Sequence, residues 1–448
     1  MSIWQIVTGE YPPQPGGVSD YTWMVANGLA SAGETVHVWA PQCALPGAAV
    51  SAVEVHRLPG SFGPHAMVSV VQAVHANPEC SVLVQYVPHA YGFKAMNLPF
   101  CWWLYSIRQA NLTIMFHEVA FPISRTQPLR HNVLGAVTQL MARLACRSAK
   151  RIMVASAKWQ PLLRRLGATA PILWVPIPSN VPVVANELAT ATWRGRYCVA
   201  GGLLMGHFAN YSNYSVERLS QVLPALLHQH QELSMLLLGA NSEKLRQRLL
   251  HTNRQLACRL IATGPLAPDD LSAALAACDL MVQPYPDGVS TRRSSTSALL
   301  AHGRPIVTTK GIGTEDFWNN GGAAALAPAE NPGRLQEELV TMLSSDELRR
   351  DYSHKALALY EQRFALRHTI EELIASLSGV FLSSPPPAGR DHGRSPRPSP
   401  RAVRCGGSKK SEGAALGGAM KPAAEAMHSS SYVREKRGSA VAAVRPRG

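Results

Sequence analysis

From residue 11 to residue 21 the chain reads Tyr11-Pro12-Pro13-Gln14-Pro15-Gly16-Gly17-Val18-Ser19-Asp20-Tyr21. Ahead of it, Ile3-Trp4-Gln5-Ile6-Val7 is apolar and β-prone and predicts a buried strand. Behind it, Tyr21, Val25, Gly28 and Leu29 recur at helical spacing until Gly33, and residues 36–40 predict a second strand. Strand, glycine loop, helix and strand in this order make a βαβ unit, the building block of a doubly wound parallel sheet. The prolines stiffen the loop, while Gly16 and Gly17 let backbone N–H groups approach a ligand closely. A helix N-terminus behind such a loop favours anions, so a phosphate or sugar site is expected; an ordinary tight βα turn fits the same residues.

The same rhythm continues outward. Strands are expected at 51–57, 81–86, 112–116, 151–155 and 172–175, with helices at 68–75, 99–109 and 131–148 between them. After the proline-rich stretch 176–182, strands are expected at 196–200, 235–238, 260–262, 280–283 and 305–308. Helices at 216–230, 242–254, 269–277, 294–302 and 334–344 alternate with those strands, and a last helix spans 354–378. Two halves of alternating strand and helix predict an α/β protein of two doubly wound, Rossmann-like domains facing a cleft. The boundaries are 1–180 and 181–353, then 354–382 as a helix crossing back onto the first domain, and 383–448 as a tail.

Composition narrows the function classes. Apolar residues are 46% of the 448 and charged residues 16%, enough for large cores. No stretch offers the ~20 apolar residues of a membrane span, and no basic region precedes an apolar run at the N-terminus. The eight cysteines are scattered without a CxxC pair, which argues against a zinc or disulfide framework and for a reducing, cytoplasmic compartment. The net charge of +14 is concentrated at one end. Residues 384–448 hold 13 Lys/Arg against 4 Asp/Glu, so the other 383 residues carry only +5. This tail is rich in Pro, Gly, Ser, Ala and Arg and is expected to be disordered, with at most non-specific affinity for nucleic acid or anionic membrane. There is no GxxxxGK[ST] loop for a helicase-type core, and no GxGxxG opens either half as in dinucleotide oxidoreductases.

A series of motifs runs through residues 3–380: Glu10-Tyr11-Pro12-Pro13 with Gly16-Gly17-Val18, His117-Glu118 after an apolar strand, Asn180 in the link, and Met235-Leu236-Leu237-Leu238-Gly239. Gly264 follows, then Leu271, Ala277, Asp279, Pro284 and Gly288, and finally Ala301-His302-Gly303-Arg304-Pro305-Ile306-Val307. In this order and spacing the motifs resemble the GT-B glycosyltransferases of the large retaining family that uses nucleotide-sugar donors, the group 1 glycosyl transferases. The resemblance implies retaining transfer from a UDP- or GDP-sugar to a glycan, lipid-linked or small-molecule acceptor, without a metal or other cofactor. It places Gly16 and Gly17 beneath the donor phosphates and sugar and His117 near the donor sugar, and makes His117 and Glu118 the candidate catalytic residues, with Glu118 binding sugar hydroxyls. Without the resemblance, His117 reads equally as a structural histidine and Glu118 as a loop cap.

The departures matter. The family carries two glutamates eight positions apart before its A-x-G-x-P segment; here those positions are Ser290 and Ala298. The family's Arg and Lys after the first strand of the second domain are also missing from the region around Gly206. What stands in their place is Gly288-Val289-Ser290-Thr291-Arg292-Arg293-Ser294, two guanidinium groups at a helix start with Ser294 beside them. That combination predicts a diphosphate clamp. A GT-B-shaped protein that binds a sugar nucleotide or a partner without turnover is the alternative the lost glutamates keep open. The aromatic run Trp102-Trp103-Leu104-Tyr105 with Arg108, and the helix 131–148, read as core packing or as a face toward an acceptor or the inner membrane leaflet.

Overall fold

The computed structural model describes residues 2–43, 52–60 and 62–377. The expected basic tail lies outside the described residues.

Apolar runs too short for buried helices become strands covered on both faces, as parallel sheets require. The first sheet takes β1 (Ile3–Thr8), β2 (Thr35–Pro41), β3 (Val53–Leu58), β4 (Ser81–Tyr86), β5 (Asn111–Phe116), β6 (Arg151–Val154) and β7 (Ile172–Trp174). Its order is β3-β2-β1-β4-β5-β6-β7, all parallel. The second takes β8 (Leu203–Phe208), β9 (Leu233–Leu238), β10 (Leu260–Gly264), β11 (Leu280–Gln283), β12 (Ile306–Lys310) and β13 (Ala325–Pro328) in the order β10-β9-β8-β11-β12-β13, again parallel. Every residue of β4, β9 and β11 is buried. The strand order reverses between β1 and β4 in one sheet and between β8 and β11 in the other, and the loops leaving these strands are where an open α/β sheet binds ligands.

Three expectations need correction. Residues 196–200 are not a strand: the helix Glu187–Tyr197 runs into them, and the first strand of the second sheet is β8. The helix wins because Asn186 caps it and Trp193 and Tyr197 pack onto the second domain's core. Gly206 therefore lies inside β8 rather than in a loop, and a Cβ there would fall 2.6 Å from Met281 Sδ and 2.8 Å from Cys278 Sγ. It is a packing glycine. The helix expected over 354–378 is broken: one helix ends at Leu359, a π-helical turn covers Tyr360–Phe364, and Leu366–Leu377 is a separate helix.

That last helix does cross back. Ile370 and Leu373 join Trp4, Ile6, Val25 and Leu29 in one core, and Gly28 gives Ile370 the room to approach. The expected membrane-or-core segments divide by face. In the helix Leu98–Ser106, Phe100, Cys101 and Leu104 are buried while Trp102 is exposed. In the helix Leu129–Ser148, Met141, Ala142 and Ala145 are buried while Leu129, Val133 and Leu140 face solvent. Among the described residues no helix is long and apolar enough to cross a membrane.

Candidate active site

At the β1–β4 switch point the glycine loop wraps an internal anion. Glu10, just past β1, accepts hydrogen bonds at Oε1 from Val18 N (3.0 Å) and Ser19 N (3.1 Å) at the start of the helix Gly17–Ser31. Gly16 is an extended residue whose missing Cβ would lie 2.3 Å from that same oxygen. The helix N-terminus expected to hold a ligand phosphate is thus already capped by the chain's own carboxylate. Burial raises the Glu10 pKa, while the two N–H donors pull it back down. A Cβ at Gly17 would meet nothing within 4 Å, so that side of the loop is open.

Two histidines stand beside this loop. His117, immediately after β5, pairs Nε2 with Gln85 Oε1 at 2.8 Å and meets the Tyr21 ring edge-on at 4.7 Å. Burial lowers its pKa to about 3. Held neutral at neutral pH, the ring can orient a hydroxyl by hydrogen bonding. His89, after β4, has Nδ1 3.6 Å from Glu118 Oε2. Glu118 raises the His89 pKa, burial opposes it, and Glu10 adds to the rise. Sequence reading overlooked His89 and Glu10 as site groups. Their signal was available: both are polar residues directly beyond an apolar strand at a sheet's ligand-binding end.

The pH consequence for His117 has a definite sign. The unfolded chain holds an ordinary histidine near 6.5 and the folded one near 3, so acidification protonates the unfolded state first. Its contribution to stability is complete above about 6.5 and is lost as the pH falls toward 3. His117→Gln will show a shallower loss of melting temperature over that window than the parent. Identical slopes would mean that His117 is not held neutral.

In the second domain the two arginines do not stand free. Arg292 Nη2 donates to Asp287 Oδ2 at 2.6 Å, and Arg293 Nη2 donates to Asp287 Oδ1. Burial raises the Asp287 pKa, but Arg293 and Arg292 outweigh it and hold the carboxyl below its usual value. Arg293 is the deeper of the two. Its guanidinium lies 4.6 Å from the Tyr285 ring centre, and burial lowers its pKa. Arg292 retains 20% of its side-chain exposure and lies 5.8 Å from the Trp159 ring of the first domain. The expected pair of equal phosphate ligands is therefore a triad around Asp287, with Arg292 outermost. Ser294 opens the helix Ser294–Ala301. Gly288, at φ +86°, is a close-approach glycine: a Cβ would fall 2.3 Å from Gly311 N and 2.2 Å from Thr314 Oγ1.

The two positions where glutamates were expected are interior. Ala298 is buried, and Ser290 Oγ is buried with no hydrogen-bond partner among the described residues. A different glutamate closes the seam between the domains. Glu315 accepts from Ser156 Oγ (2.6 Å) of the first domain and from Thr291 Oγ1 (2.8 Å) and Trp318 Nε1 (3.1 Å) of the second. Thr291 in turn lies 2.6 Å from the Ala155 carbonyl and accepts from Trp174 Nε1 at 3.0 Å. Asn180 in the link donates to Asp20 Oδ2 at 2.8 Å. These bonds tie the arginine loop to the ends of β6 and β7.

Two doubly wound domains with their switch-point loops drawn to one seam define the GT-B architecture. Residues 202–345 match the family described as Glycosyl transferases group 1, and the two-domain fold is shared with solved GT-B glycosyltransferases. Similar solved structures include sucrose-phosphate synthase from Thermosynechococcus elongatus, at 15% identity and a TM-score of 0.64 over 85% of this chain and 100% of the other. WaaG, a glycosyltransferase of lipopolysaccharide biosynthesis, is similar at 15% identity and a TM-score of 0.60 over 84% and 100%. HepE from Anabaena, in complex with UDP and glucose, is similar at 17% identity and a TM-score of 0.59 over 85% and 100%. No curated protein matches the sequence.

Proposed function

We propose that the chain transfers a hexosyl group from a UDP-sugar to a hydroxyl of a glycan, lipid-linked or small-molecule acceptor, with retention. The observation that carries this is the Arg292–Asp287–Arg293 triad at the start of the helix Ser294–Ala301, its outer arginine still partly exposed beside Trp159 of the first domain. A diphosphate leaving group needs positive charge where the C1–O bond breaks, in a site poor in water. Arg292 supplies that charge at the phosphates, with Arg293 and Asp287 holding its position and the N–H groups of Ser294 and Gly17 adding dipoles. The acceptor oxygen bonds to C1 on the face the diphosphate leaves, and its proton passes to a departing phosphate oxygen. Neutral His117 hydrogen-bonds the donor sugar. Glu118 and His89 bind hydroxyls on the acceptor side. HepE, solved with UDP and with UDP-glucose, favours uridine over guanosine as the base.

Binding without turnover remains the second reading, favoured by Ser290 and Ala298 standing where the resemblance expects glutamates. A peripheral contact with an anionic membrane face fits the exposed Ile123, Leu129, Val133 and Leu140 interleaved with Arg125, Arg130 and Arg143, and cosedimentation with anionic vesicles tests it.

The nucleotide is tested by thermal melting of the full chain with UDP, GDP, ADP and their sugars. A ligand at about 100 times its dissociation constant adds about 2.7 kcal/mol to the folded state. A rise with UDP and UDP-sugars, followed by release of UDP when acceptor is supplied, is expected. A rise without release in any acceptor mixture favours the second reading, and no rise with any nucleotide overturns both.

A further inference from the structure

At the outer edge of the first sheet lies a second cluster of titratable side chains, apart from the candidate donor site. Side chains two apart on a strand share a face, so His37 and Trp39 of β2 lie together, as do Glu54 and His56 of β3. The parallel register sets His37 opposite Glu54 and Trp39 opposite His56. His37 Nδ1 is 3.2 Å from His56 Nε2 and 3.2 Å from Glu54 Oε2, and Glu54 Oε1 is 3.5 Å from His56 Nε2.

The His37–His56 and His37–Glu54 Oε2 separations are close to ligand-to-ligand edges around a tetrahedral ion, while the other carboxylate oxygen is the one nearer His56. Zinc bonds of about 2.0–2.1 Å at the tetrahedral angle leave neighbouring ligand atoms roughly 3.3–3.4 Å apart. Hydrogen bonding accounts for the two carboxylate contacts, since each neutral ring can carry its proton on the facing nitrogen, but it then leaves two N–H groups set 3.2 Å apart. A cation between the two nitrogens and the carboxylate removes that conflict.

The surroundings hold the ligands in place. The Trp39 ring stacks on His56 at 4.1 Å and 16°, and Trp39 is itself fixed by donating Nε1 to buried Gln5 Oε1 at 2.6 Å. Glu54 is 65% exposed, so a metal ion and a fourth ligand can enter from solvent.

We propose that His37, Glu54 and His56 form a site for a divalent, zinc-like cation, with two imidazoles, one carboxylate and an open fourth position. The bound ion staples edge strand β3 to β2. The staple bears on the glycine loop through Arg57, next to His56, which donates to the carbonyls of Pro41 and Pro12.

The test is titration of the chelator-treated full chain with Co²⁺, read by its visible ligand-field absorption. Cysteine ligation would add a thiolate charge-transfer band and so identify itself. One equivalent of absorbing Co²⁺ without a thiolate band is expected, displaced by Zn²⁺, with affinity lowered at least about tenfold in His56→Gln and in Glu54→Gln. Zn²⁺ should raise the melting temperature of the parent and not of either variant. Glu54→Gln, at an exposed position, should melt like the parent without metal, so its lost binding would not reflect unfolding. Absence of a band with Co²⁺ in excess, a thiolate band, or unchanged affinity in both variants would overturn the proposal.

Discussion

Arg292→Ala will reduce turnover with a UDP-sugar by about 10²–10³-fold, the loss measured when one preorganised donor to a developing anion is removed. Arg292 is the outer member of the triad, and its guanidinium faces the seam near Trp159. Removing it leaves Asp287 paired with Arg293, so the buried pair survives and the unliganded melting temperature changes little. Arg292→Lys should recover part of the rate only, because an ammonium lacks the planar fork that meets two phosphate oxygens at once. The measurement is UDP release under saturating donor, with UDP binding followed separately by melting. If both are unchanged in Arg292→Ala, the phosphates are held elsewhere.

Asp287→Asn will have the largest effect on stability. Two guanidinium groups converge on one carboxylate whose side chain is 15% exposed, beside an Arg293 that is 12% exposed. Neutralising Asp287 keeps the shape and leaves both cations facing each other without a counter-charge, and breaking a buried pair in this way costs about 3–5 kcal/mol. For a domain of this size that lowers the melting temperature by roughly 6–20 °C. Because the folded state holds the Asp287 pKa below 3.8, the pair's contribution is present above that pH. It is lost as the pH falls through the folded value, and the gap between parent and Asp287→Asn should narrow there. A variant that melts with the parent at neutral pH would show that the triad does not hold the loop together.

Alternation of apolar runs with helical periodicity is a local property, and it was enough for the two-domain plan: β4 and β11 fall where the sequence puts them, residue for residue. It failed where local pattern and packing disagreed. Residues 196–200 carry β-prone side chains, yet Asn186 starts a helix whose Trp193 and Tyr197 bury against the second domain. Candidate residues were named by type: His117 and Glu118 directly follow β5, and Arg292 and Arg293 directly precede the helix Ser294–Ala301. Their partners were not found by type. Glu10 lies only seven residues before Gly17, but that its carboxylate turns back onto the Val18 and Ser19 N–H groups depends on the fold of the loop between them.

The sequence by itself therefore determined the architecture, because strand and helix periods are written in neighbouring residues. Only the tertiary structure decided which of the chain's charges are free to meet a ligand. The Asp287 carboxylate claims both arginines, Glu315 joins residues 156 and 291 from opposite domains, and His37 meets His56 across two strands. The free energy of a charge depends on what surrounds it within a few ångströms, and folding, not sequence order, chooses those neighbours.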